Sequence, residues 1–129
     1  MGGLRSLLKE VKEANHKVIG KHVYGSLFEC DPDILSDAEY LAEVATNAAK
    51  EGNMTLLDVK YWKIHPGISL VAIILESHIT IHTWPEYRFA TVDVYSCGER
   101  SDPVASFTYI AKALRAKSYS YDVIDRSLY

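Results

Sequence analysis

The sequence predicts an α+β two-layer sandwich, a mainly antiparallel sheet with two helices on one face. Segments rich in β-branched and aromatic residues outnumber helical ones. Two other segments carry apolar stripes at helical spacing behind capping signals. The order is strand, helix, two or three strands, helix, strand, joined by short turns, which suits helices packed on one side of a sheet.

Met1 to Lys17 alternates leucine pairs with Lys, Glu and Arg, a short amphipathic segment expected to fray or to dock at a subunit contact. Val18 to Cys30 reads as a first strand closed by Asp31-Pro32-Asp33. Its His22 is expected to be structural or to approach a neighbouring subunit's site, and Cys30 to be a buried thiol. Ser36-Asp37-Ala38-Glu39 predicts a capping box. The helix behind it places Leu41, Val44, Ala45 and Ala48 on one stripe and ends at Gly52. Met54 to Ile64 alternates as a second strand, His65-Pro66-Gly67 turns the chain, and Ile68 to Glu76 is a third strand running into Ser77. Pro85 interrupts the extended chain, and Arg88 to Tyr95 forms a further strand. Asp102-Pro103 opens a second helix with Phe107, Ile110, Ala111 and Leu114 inward, before a last strand from Ser118 to Ile124.

The stretch from Leu75 to Tyr87, answered by Tyr95-Ser96-Cys97-Gly98, concentrates more chemistry than a solvent-facing strand needs. At period two, Ser77, Ile79, Ile81 and Thr83 share one face and His78, Thr80 and His82 the other. Residue types alone leave several readings open. His78, His82 and Cys97 have the donor types of a three-ligand zinc site. His78 also fits a hydrogen-bonded histidine of a half-buried strand, and Cys97 an ordinary buried thiol. A Ser-His-acid hydrolase lacks its Gly-x-Ser-x-Gly elbow here.

Glu-Ser-His-Ile-Thr-Ile-His-Thr-Trp-Pro-Glu-Tyr at 76–87, followed by Val-Asp-Val-Tyr-Ser-Cys-Gly at 92–98, resembles the signature of the short prokaryotic-type S-adenosylmethionine decarboxylases. These are pyruvoyl-dependent enzymes made as self-cleaving proenzymes, and the resemblance runs from about Gly20 to about Leu114. A length of 129 residues suits one domain over residues 1–129, and the resemblance implies a cut between Glu76 and Ser77 into a β chain 1–76 and an α chain 77–129. Ser77 would attack the Glu76 carbonyl and end as the pyruvoyl group that forms a Schiff base with the substrate. The tetrahedral oxyanion needs donors placed in advance, and Ser69 matches the family serine suited to that support. By the same match His82 is the proton acceptor in processing and Cys97 the proton donor in catalysis.

The sequence departs from the family where a phenylalanine usually stacks on adenine, for Lys63 stands at that position with Trp62 beside it. That departure, with Lys21-His22-Val23-Tyr24-Gly25 and Asp125-Arg126-Ser127, resembles a crenarchaeal branch that decarboxylates arginine to agmatine. A guanidinium requires an acidic partner, for which Glu86 and Asp93 are the candidates. The first expectation is therefore arginine, the alternative S-adenosylmethionine, and Trp62 and Lys63 are expected near the substrate.

Seventeen acids against fourteen bases give a net charge of −3, no footprint for nucleic acid. The longest apolar run, Ile68 to Leu75, is too short for a membrane span, and no secretory signal is legible. Two cysteines suit free thiols in a reducing compartment, so a cytoplasmic enzyme is expected. A chain of 129 residues is near the size at which a second copy helps bury surface, and the family pairs protomers that share active sites.

Overall fold

The computed structural model describes residues 18–128, so the expectation for Met1 to Lys17 lies outside the described residues. Strands β1 (Lys21–Phe28), β2 (Leu56–Lys63), β3 (Ile68–Ile74), β4 (Ser77–Trp84), β5 (Phe89–Ser96) and β6 (Ser118–Asp125) form one sheet in the order β2-β3-β4-β5-β1-β6. Every neighbouring pair is antiparallel. Helix α1 (Pro32–Leu35) is a single turn, and α2 (Ala38–Glu51) and α3 (Pro103–Ala113) cover one face. The expected α+β two-layer sandwich is what forms.

Alternation decides which side of each strand is dry. Ile68, Leu70, Ala72 and Ile74 of β3, Ile79 and Ile81 of β4, and Ala90, Val92 and Val94 of β5 are buried beneath the helices. They meet Leu41, Val44, Ala45 and Ala48 of α2 and Phe107, Ile110 and Ala111 of α3 in one core. The opposite face keeps large apolar groups in solvent, among them Tyr24, Phe28, Trp62, Ile73, Trp84 and Ile124.

Two local expectations change, and a third, the stop at Gly52, holds for a different reason. Ser36 does not cap the long helix, because Asp31-Pro32 starts a turn of helix first. The Asp31 carboxylate accepts from Asp33 N–H at 2.9 Å, and the Ser36 hydroxyl donates to Pro32 O, also at 2.9 Å. The cap of α2 is Asp37, which accepts from Tyr40 N–H at 3.0 Å. Gly52 does end α2, but with a φ of −89°. Its requirement is space, since a Cβ there would lie 2.1 Å from Ser106 Oγ where the helices touch. Finally, Ile68 to Glu76 is not one strand running into the serine: β3 ends at Ile74 and the chain reverses.

The far end of β4 is tied down by Thr83, which is buried. Its hydroxyl donates to Leu35 O at 2.8 Å and accepts from Ile68 N–H at 2.9 Å, joining α1, β3 and β4. Thr83→Val keeps the volume and strands both backbone groups, so denaturant unfolding should show a loss of about 1–3 kcal/mol. A smaller loss than for an exposed control such as Thr55→Val would contradict this role.

Candidate active site

Ile74 pairs with Ser77, so Leu75 and Glu76 alone connect β3 to β4. Two-residue hairpins favour Gly or Asn, neither of which is present. Outside contacts hold the turn instead: Leu75 N–H donates to Thr55 O at 2.8 Å, and Thr55 N–H donates to Glu76 Oε1 at 3.0 Å. Ser77 leaves the turn with a φ of 156°, a backbone setting that side chains with a Cβ rarely adopt.

On the other side, Ser77 pairs with Ser96 of β5, which brings the next residue, Cys97, against the turn. Cys97 N–H donates to the Glu76 carbonyl at 2.8 Å. That carbonyl belongs to the Glu76–Ser77 peptide bond, so a backbone donor already sits where negative charge would collect if the carbon were attacked. Gly98 closes over the turn, where a Cβ would stand 3.0 Å from Glu76 Cγ. Ser101 fixes this loop by donating to Gly98 O at 2.7 Å.

The Ser77 hydroxyl lies 3.1 Å from Nδ1 of His78. The His78 ring sits edge-on to Tyr95, with centroids 5.7 Å apart. His22, on the other side of Tyr95, contacts Asp93 Oδ2 through Nε2 at 3.1 Å, and the Arg126 guanidinium lies 4.5 Å above the Tyr95 ring. Burial, first of all, and then His22 and Arg126 push the His78 pKa below the usual histidine value, against an opposing pull from Asp93. His78 is therefore neutral near pH 7 and able to accept a proton.

His82 and Ser69 stand elsewhere. They face each other across β3 and β4, with His82 Nδ1 3.0 Å from Ser69 Oγ. Five residues of extended strand separate His82 from Ser77, about 17 Å at about 3.4 Å per residue. The same pairing places Ser69 equally far away, so within one chain Ser69 does not support the oxyanion. The donor found on that carbonyl is Cys97 N–H.

His82, Ser69, Trp84 and Glu86 line a cleft of about 190 Å³ with the cis His65-Pro66 turn. Trp62 pairs with Ser69 and so leaves the sheet on the same face as Ser69 and His82. Lys63 pairs with Ile68, which is buried on the helix side, and so points away from that cleft. Asp93 is engaged by His22. Expected substrate contacts thus divide: Glu86 and Trp62 lie at the His82 end, Asp93 lies mid-strand opposite Thr80, and Lys63 is on the other face.

The zinc alternative meets a geometric obstacle. His78 and His82 are four residues apart along one strand, about 13 Å, whereas ligands of one zinc ion must each come within about 2.3 Å of it. Among the described residues no three His, Cys, Asp or Glu side chains converge on a common point. A hydroxyl at a hydrogen-bonded carbonyl, an adjacent imidazole and a nearby exposed thiol instead fit a pyruvoyl group made in place from Ser77. Sequence reasoning missed the His78 contact and the Cys97 N–H donor, because both depend on hairpin geometry.

Known proteins resemble this chain over most of its length. A curated S-adenosylmethionine decarboxylase proenzyme from Sulfurisphaera tokodaii is 62% identical over 111 residues, 86% of this chain and 91% of the relative. Another with the same description, from Saccharolobus solfataricus, is 58% identical and spans 94% of this chain and 98% of its own length. The crystal structure of the adenosylmethionine decarboxylase from Aquifex aeolicus superposes with a TM-score of 0.79 at 34% identity, covering 88% of this chain and 94% of that one. Sandwich, hairpin serine and these likenesses define the class: the molecule is a decarboxylase. Residues 21–127 match the family described as S-adenosylmethionine decarboxylase, and the chain belongs to that family.

The two cysteines differ sharply. Cys97 is exposed, while Cys30 is buried and its thiol is pushed up to about 11 by that burial. Since the thiolate is the reactive form, iodoacetamide at pH 8 should alkylate Cys97 at least about tenfold faster than Cys30. Peptide mapping checks this, and equal labelling would contradict the assigned environments.

Proposed function

We propose that this chain is a self-processing, pyruvoyl-dependent S-adenosylmethionine decarboxylase whose active site is completed by a second copy of itself. The observation that carries the self-processing reading is the Glu76 carbonyl resting on Cys97 N–H beside the Ser77 hydroxyl. Attack of Ser77 Oγ on that carbonyl converts the peptide bond to an ester and leaves the residue 77 amine free. Removal of the Ser77 α-proton then breaks the Cβ–Oγ bond and expels the Glu76 carboxylate. Hydrolysis of the resulting dehydroalanine releases ammonia.

His82 is the base matched to that α-proton, and about 17 Å of strand separates it from its own Ser77. A two-fold axis through the open face resolves this by laying the His82 end of one copy over the Ser77 end of the other. Apolar groups left on that face, Ile73, Trp84 and Phe28 among them, supply a reason to pair. Each composite site then holds Ser77 and Cys97 from one copy and His82, Ser69, Trp62 and Glu86 from its partner.

In turnover, the pyruvoyl group supplies the electron sink for loss of carbon dioxide. Cys97 Sγ returns a proton to the substrate α-carbon. Trp62, on the face of Ser69 and His82, offers the flat ring that Lys63 does not, so the departure that suggested arginine loses its force. Glu86 provides an acceptor for ribose hydroxyls at the same cleft. The relatives' shared description supports this substrate over arginine.

A denaturing mass spectrum of purified protein should give chains 1–76 and 77–129, the second blocked to Edman sequencing. Ser77→Ala should leave one intact chain. Cys97→Ala should still be cut and lose at least about a hundredfold in turnover. Carbon dioxide release should follow added S-adenosylmethionine and not arginine; the reverse would restore the arginine reading. Co-expressed Ser77→Ala and His82→Ala copies should regain about a quarter of wild-type activity if random pairing gives half mixed dimers with one good site each. No recovery would refute sharing between copies.

A further inference from the structure

The self-processing reading leaves the first chemical step without a base. A serine hydroxyl is a weak nucleophile until a neighbouring group takes its proton. His82, the base matched to the later elimination, is on the far end of the strand from its own Ser77. Within the chain the imidazole in contact with the attacking oxygen is His78, with Nδ1 3.1 Å from Ser77 Oγ. That is hydrogen-bond distance for a proton acceptor.

We propose that His78 is the general base for ester formation at Ser77, a catalytic role separate from that of His82 in the elimination. This rests on the self-processing reading above. The balance is simple. His78 Nδ1 takes the Oγ proton as Oγ bonds to the Glu76 carbonyl carbon, and Cys97 N–H holds the resulting oxyanion. The C–N bond then breaks, and the imidazolium returns the proton to the Ser77 nitrogen. Nothing is oxidised or reduced and no co-reactant is needed.

The surroundings suit the task. His78 is half-buried, with Tyr95 and Asp93 of β5, His22 of β1 and Arg126 beyond β6 around it. Two of these neighbours, His22 and Arg126, disfavour a positive charge on it; Asp93 favours one but is engaged by His22. The neutral form of His78 therefore persists below the ordinary histidine pKa of about 6.5. A bland alternative is that His78 only packs against Tyr95 and orients the serine.

The test uses the full chain expressed as precursor, followed by intact mass with and without hydroxylamine, which cuts the ester but not the amide. His82→Ala should accumulate a hydroxylamine-cleavable species that yields chain 1–76 and a chain starting with an unblocked serine. His78→Ala should form that ester at least about a hundredfold more slowly than wild type, and added imidazole should restore part of the rate. His78→Asn keeps a polar group at the Nδ1 position without a basic nitrogen. It should fold as judged by circular dichroism and stall in the same way. Ester formation in wild type should stay level as pH falls to about 6.5 and decline below it, and both His78 variants should lack that inflection. Ester formation by His78→Asn at the wild-type rate would overturn the proposal, because a positioning role would survive that change. So would hydroxylamine cleavage of His78→Ala as fast as of His82→Ala. An uncut wild-type chain would refute self-processing itself, whereas cut wild type alongside freely cut His78 variants refutes only the His78 assignment.

Discussion

One backbone hydrogen bond organises the reactive end of this molecule, from Cys97 N–H to the Glu76 carbonyl. It exists because β5 pairs with β4 in the register Ser77↔Ser96, which carries the next residue of β5 past the end of the hairpin and against the turn. A shift of one residue would send the whole inward-facing set of β4, Ile79, Ile81 and Thr83, to the solvent face. The core therefore enforces the register, and the register places a donor on the Glu76 carbonyl. Catalytic geometry here follows from hydrophobic alternation some distance away.

The hairpin adds a second constraint. Leu75 and Glu76 form a two-residue turn without the residues that such turns prefer, clamped by both the N–H and the C=O of Thr55, the residue before β2. Ser77 emerges with a φ of 156°. Conformations of this kind persist only where the surroundings over-determine them, and they gather at functional sites. On the proposed reading, a cut after Glu76 would free the residue from that constraint.

An antiparallel hairpin also separates the residues that the proposed reaction would unite. Residues near the turn of β3 and β4 lie at one end of the sheet, and Ser69 and His82 at the other. No side-chain motion covers five residues of strand. On the proposed reading the apolar open face and the divided site are two sides of one circumstance: a second copy would cover the one and complete the other. Trp62, placed beside Ser69 by the β2–β3 register, belongs to the same end.

Alternation of Ile79 and Ile81 with His78 and His82 was enough to assign a strand and both its faces, since period two leaves little choice once one side must be dry. Asp102-Pro103 and the stripe from Leu41 to Ala48 fixed the helices in the same local way. The run 76–87 with Cys97 carried the family. Local signals failed where two of them competed, as when Asp31-Pro32 nucleated a turn that took Ser36 out of its expected cap. They were silent on contacts between residues distant along the chain. Which residue supports the Glu76 carbonyl, which histidine touches Ser77, and on which face Trp62 and Lys63 emerge all depend on strand register and turn length. Those are settled by packing across the whole sheet, an interaction among segments that no single segment encodes.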